Sequence, residues 1–116
     1  MIRAELKRLY STHIVDLENF RPNGPFGFSV QAIVGPAGGK GEESFDFTLC
    51  TPEWLASHMS ASIAPGRHFL FVNNFNYSAL ENYVRDFCYS CEGASWHAVA
   101  EKVGRLGKWE FEDYVP

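Results

Sequence analysis

Cys88-Tyr89-Ser90-Cys91 has the C-x-x-C spacing of a redox or metal-binding pair. A redox pair needs a lowered thiol pKa, which a helix N-terminus supplies. Here both cysteines fall on an apolar stripe at the C-terminal end of a helical pattern, so they read as core residues. A zinc site would need further ligands at suitable spacing. Cys50 and His97 are conceivable additions, but no second C-x-x-C and no H-x-x-x-H accompanies them. His13, His58, His68 and His97 are scattered, and none stands with Ser or Cys in a recognisable nucleophile motif. Gly38, Gly39 and Gly41 lack the G-K-[ST] ending of a phosphate loop, so they read as hairpin glycines. No catalytic residue, cofactor or metal is expected, and an enzyme would need a pocket of convergent titratable groups.

The acidic residues carry more. Asp46, Glu110 and Glu112 are expected on a strand face turned away from the helices. Asp113 follows them in the last strand, and Glu53 opens a short helix, where it also suits the helix dipole. If the strands of Asp46 and Glu110 are neighbours, one acidic face results. Such a face can steer a basic partner; a plain solvated sheet surface is the other reading. Phe69 and Phe71 alternate with His68, Leu70 and Val72, so their strand presents apolar groups to both faces. Ile33 likewise sits on the polar side of its strand. A loop, a second copy or a target protein would have to cover them.

These residues need a scaffold, and hydrophobic periodicity supplies one. Ile2 to Tyr10 alternates as a half-buried strand. Asp16 to Pro25 reads as a loop, with Pro22, Asn23, Gly24 and Pro25. Phe26, Phe28, Val30, Ala32 and Val34 share one face of the next strand, and Gly35 to Glu43 closes a hairpin onto Phe45, Phe47 and Leu49. Thr51 and Pro52 mark a helix start. That helix runs through Trp54, Leu55 and His58 and stops before Pro65-Gly66. His68 to Val72 reads as a central strand covered on both faces. Leu80, Tyr83, Val84, Phe87, Cys88 and Cys91 keep helical spacing, with Ser78 and Glu81 as a capping box and Glu92-Gly93 as the stop. Ser95 caps a second long helix along Trp96, Val99, Ala100, Val103 and Leu106, with Gly107 as its end. Trp109 to Tyr114 alternates as a closing strand, Trp109 and Phe111 inward.

This order predicts an α+β fold: a mostly antiparallel sheet of about five strands, two main helices on one face, and a short helix besides. The chain has 116 residues, the length of a single domain spanning 1–116. Hydrophobic residues make up 46%, aromatics 16%, and ten are Phe, enough for a core without disulfides. The net charge of -4 argues against nucleic acid as a partner. No run approaches a membrane span, and Met1 to Tyr10 lacks the apolar stretch of a signal peptide. With an odd number of cysteines, the expectation is reduced thiols in a cytoplasmic protein.

Four segments resemble the immunity protein 8 family of bacterial polymorphic toxin systems: FGFSVQAIVGP (26–36), SFDFTLCTPEWL (44–55), GRHFLFV (66–72) and CEGASWHAVAEKVGRLGKWEFEDY (91–114). The resemblance runs from Asp16 to Tyr114. Its most specific pieces are Cys50-Thr51-Pro52-Glu53-Trp54-Leu55 and Trp109-Glu110-Phe111-Glu112-Asp113-Tyr114. It implies an α+β immunity protein that binds and neutralises a cognate toxin, without catalysis; the acidic groups would suit a basic toxin such as a nuclease domain. The partner-binding residues expected are Asp46, Glu53, Glu110, Glu112, Asp113, Phe69 and Phe71. A homo-oligomeric scaffold, for instance a homodimer, or a small-ligand binder with a cavity at Phe69 and Phe71, is the alternative.

Overall fold

The computed structural model describes residues 1–115. Alternation builds its sheet from β1 (Ile2–Tyr10), β2 (Gly27–Pro36), β3 (Glu43–Cys50), β4 (Phe69–Phe71), β5 (Glu92–Gly93) and β6 (Lys108–Trp109). The strand order is β4-β3-β2-β1-β5, with β6 also on β3. All pairs are antiparallel except β3 with β4. The sheet is therefore mixed, and the fold is α+β.

The central hairpin keeps register from Gly27↔Cys50 to Val34↔Glu43. Phe28, Val30, Ala32 and Val34 thus meet Phe45, Phe47 and Leu49 in one core. In β1 the register slips between Leu6 and Arg8. That extra residue lets Leu6 and Leu9, of opposite parity, both face the core. The helices α2 (Tyr77–Tyr89) and α3 (Trp96–Val103) close this face with Leu80, Val84 and Cys88, and with Val99, Ala100 and Val103. On the opposite face the Trp54 ring of α1 (Pro52–His58) lies on Gly27, where a Cβ would come within 2.2 Å of it. Beside it, Ser11 donates to the Ser29 carbonyl (2.6 Å), and Gln31 accepts from the Thr12 amide (3.1 Å). The loop after β1 thus covers this part of β2. Ile33 is buried although it stands outside the core cluster.

Four sequence expectations change. His68–Val72 does not hold a central strand: β4 is three residues long and forms a sheet edge. Leu70 and Val72 pack on the core, while Phe71 stays 48% exposed on the other face. The run is two-sided because a short edge strand has a core below it and open surface above. Helix α2 starts two residues earlier than a Ser78 cap requires, because Asn76 Oδ1 accepts from the Ala79 amide at 3.0 Å. Glu92-Gly93 does more than stop α2, since it pairs with Ile2 and Arg3 as β5. Helix α3 ends at Gly104; Gly107 instead sits against the backbone of Phe45, 3.0 Å from where its Cβ would be.

The closing strand is also shorter than alternation predicts. After Trp109 the Glu110 amide still donates to the Ser44 carbonyl at 3.1 Å. The return bond fails, because the Ser44 amide donates to Glu110 Oε1 (2.7 Å). A side-chain carboxylate replaces the backbone acceptor, and the ladder ends. Residues 110–114 then turn, with Glu112 donating to the Trp109 carbonyl and Tyr114 to that of Phe111, each at 3.0 Å.

Candidate functional site

The C-terminal turn is anchored by one carboxylate. Glu43 has the parity of Phe45, Phe47 and Leu49, so it points to the core face at the end of β3. Its Oε1 accepts both indole N–H groups, from Trp96 and from Trp109, each at 2.8 Å. Charge-assisted bonds are stronger than neutral ones, so this oxygen ties β3, α3 and β6 together. Trp109 is 8% exposed and lies parallel to Phe45, centroids 6.3 Å apart. From it an aromatic chain leads outward: Phe111 stands edge-on at 6.0 Å, and Tyr114 edge-on to Phe111 at 5.8 Å. His97 meets the other edge of Trp109 at 5.2 Å.

Phe111 is therefore not a core residue, contrary to the alternation reading. It is 39% exposed and Tyr114 is 65% exposed. The turn after Trp109 breaks the two-residue repeat on which the inward assignment rested.

The structure brings most of the expected acidic residues together around Trp109. Register places Asp46 opposite Lys108 and Phe45 opposite Trp109, so β3 and the C-terminal segment are neighbours. Asp46 Oδ1 accepts from Ser44 Oγ (2.6 Å), and Glu112 pairs with Arg67 (3.1 Å). Asp113 is exposed, with φ of +60°, a left-handed conformation that Asp tolerates better than most residues. A shallow recess of about 360 Å³ runs over Ser44, Asp46, Lys108, Glu110 and Glu112. Across Trp109 a second groove of about 360 Å³ lies between α3 and the turn, lined among others by Glu101, Glu112, Asp113, Phe111 and Tyr114.

Phe69 and Phe71 continue this surface. β6 and β4 occupy the same side of β3 end to end, and Phe69 sits level with Thr48, two residues beyond Asp46. The two rings stack at 6.1 Å. Glu53 does not join them: it lies beyond the opposite end of β3, in the first turn of α1, beside a recess shared with Thr51, Asn73 and Phe75.

The other chemical candidates are held in structural roles. Cys50, Cys88 and Cys91 are free and buried. Burial, with the neighbouring Cys91, pushes the Cys88 thiol up to about 12; burial also raises Cys50 and Cys91. Thiolate chemistry is disfavoured at all three. The Gly38–Gly41 turn is tied down by Lys7, which donates to the carbonyls of Pro36 (3.2 Å) and Gly39 (3.1 Å), as a hairpin turn would be. His58 stacks on Trp54 at 4.2 Å, and its Nδ1 lies 2.9 Å from Ser57 Oγ, within the exposed last turn of α1. His68 Nε2 lies 2.8 Å from the Gly104 carbonyl. Among the described residues, no three His, Cys, Asp or Glu side chains group to hold a metal ion. Nor is any helix among them long and apolar enough to cross a membrane.

Sequence reading missed Glu43. The available signal was a charge on the core parity of β3 in a chain whose three Trp side chains each need an acceptor when buried.

Fold and surface together define an α+β protein with an acidic and aromatic face organised by Trp109. The chain belongs to the immunity protein 8 family, whose model matches residues 4–114. No curated protein and no solved structure matches it.

Proposed function

We propose that the protein is an immunity protein of a bacterial polymorphic toxin system. The whole chain acts as one cytoplasmic domain that neutralises a cognate toxin by binding it, without catalysis. Membership of the immunity protein 8 family supports this reading. The observation that carries it is the cluster of carboxylates and exposed aromatic rings at the C-terminal turn, Asp46, Glu110, Glu112 and Asp113 with Phe111 and Tyr114, and farther along β3 the half-buried Phe69 stacked on the exposed Phe71. Tight interfaces place aromatic anchors at their centre, and surrounding charge speeds encounter. A net charge of -4 suits a basic partner such as a nuclease domain, and disfavours nucleic acid itself. Glu53 lies at the periphery and contributes through long-range charge only.

The test is association kinetics with the toxin domain recovered on the immobilised protein. Asp46→Lys, Glu110→Lys and Glu112→Lys combined should slow association at least tenfold at low salt, and flatten its salt dependence. Unchanged kinetics in a folded variant would refute this surface.

A second reading has its own observation. The outer edge of β4 is open, and the recess beside it, over Leu70, Phe71, Asn73, Asn76 and Tyr83, has no charged residue in its lining. A second copy of an acidic chain meets no carboxylate there and finds an open strand edge, which favours a homodimer by edge pairing. Light scattering at rising concentration, with Phe71→Lys as the monomer control, distinguishes the two.

A further inference from the structure

We propose that the groove between α3 and the C-terminal turn is a socket for an arginine side chain from a basic segment of the partner protein. The proposal rests on the toxin-binding reading and names the chemistry that one part of that surface recognises.

The buried Ala100 and Gly104 line the groove with small residues. Phe111 and Tyr114 form an aromatic wall, and Glu101, Glu112 and Asp113 supply carboxylates. An apolar wall beside carboxylates is complementary to a cation carried on an apolar stem. A planar guanidinium suits both at once, stacking flat on a ring face while its fork binds a carboxylate; the more strongly hydrated ammonium, a point charge, has no planar face to stack and no fork. The groove already holds one guanidinium–carboxylate pair of its own. Arg67, its side chain 67% exposed, holds its guanidinium 3.1 Å from Glu112. Glu101 has only His97 (3.0 Å), which is a cation only when protonated, and Asp113 has no ion-pair partner among the described residues. Two carboxylates therefore remain for an incoming charge. Phosphate-bearing partners, whether lipid or nucleic acid, are repelled by the same groups.

The test uses the full chain, labelled with nitrogen-15, and two probes: acetyl-Gly-Arg-Gly-amide and its citrulline counterpart, which has the same shape and no charge. The arginine peptide should shift the Trp109 indole N–H and the amides of Phe111 to Tyr114 saturably, and the citrulline peptide should not. Glu101→Gln with Asp113→Asn should weaken the arginine peptide at least fivefold, Tyr114→Leu at least threefold, and the remote Glu18→Gln not at all. Removing the resident cation with Arg67→Ala should tighten it. Equal shifts from citrulline, or equal loss in Glu18→Gln, would overturn the socket. Failure of the arginine peptide while toxin still binds overturns the socket and leaves the immunity reading intact. Peptide binding without any toxin does the reverse.

Discussion

Replacing Glu43 should unfasten the C-terminal turn from inside the protein. One oxygen of this side chain accepts two indole N–H groups at 2.8 Å. A hydrogen bond to a charged group contributes about 1.5–3 kcal/mol. Trp96 is half-buried and can turn its donor to water, whereas the 8% exposed Trp109 cannot. Only the Trp109 bond should therefore count in full, and Glu43→Ala should cost about 3 kcal/mol. Glu43→Gln is the informative partner, since its amide oxygen can accept both bonds without the charge. It should cost about 1 kcal/mol. With a urea slope of about 1.5 kcal/mol per molar, these become midpoint shifts of about 2 M and about 0.7 M. Urea melts followed by circular dichroism measure both, and Trp fluorescence reports exposure of the indoles. Gln as costly as Ala, or Ala costing under about 0.5 kcal/mol, would refute the shared-acceptor argument.

The cap of α2 is tested by Asn76→Ala, which should cost about 1 kcal/mol, against Ser78→Ala, which should stay within about 0.5 kcal/mol; chemical denaturation ranks them. Gly27→Ala puts a methyl 2.2 Å from the Trp54 ring and should drive that ring off the sheet, at about 1–3 kcal/mol and with a red shift in Trp emission. Burial raises the Cys88 thiol from 9.0 to about 12, so the folded protein keeps a proton that the unfolded chain releases. This contribution to stability is complete below pH 9.0 and falls as pH rises toward about 12. Denaturation midpoints across that interval should fall more steeply in the wild type than in Cys88→Ala, and native thiols should resist alkylation until the chain unfolds.

Where residues interact with near neighbours in the chain, the sequence was enough. The β2–β3 hairpin follows from strict alternation across a glycine-rich turn, and α1 from Thr51, whose hydroxyl does accept the Trp54 amide at 3.3 Å. Within α2 the burial of Leu80, Val84 and Cys88 is equally local, because helical spacing places them on one face, although Tyr83 of the same pattern is 54% exposed and Cys91 is buried beyond the helix end. The adjacency of Asp46 and Glu110 was a conditional statement that the β3–β6 register resolved.

Other features depend on groups far apart in the chain. Periodicity shows that Phe69–Phe71 has two apolar sides, but strand order alone makes it an edge. The end of β6 depends on whether the Ser44 amide meets a backbone carbonyl or the Glu110 carboxylate, 66 residues away, and so does the exposure of Phe111. Glu43 reads as a loop-end charge until Trp96 and Trp109, 53 and 66 residues on, bring their donors to one oxygen. A hydrogen bond requires its two atoms within a fraction of an ångström of a set distance. The pattern of residue types sets which face each side chain takes, while only the packed chain sets which distant groups come that close.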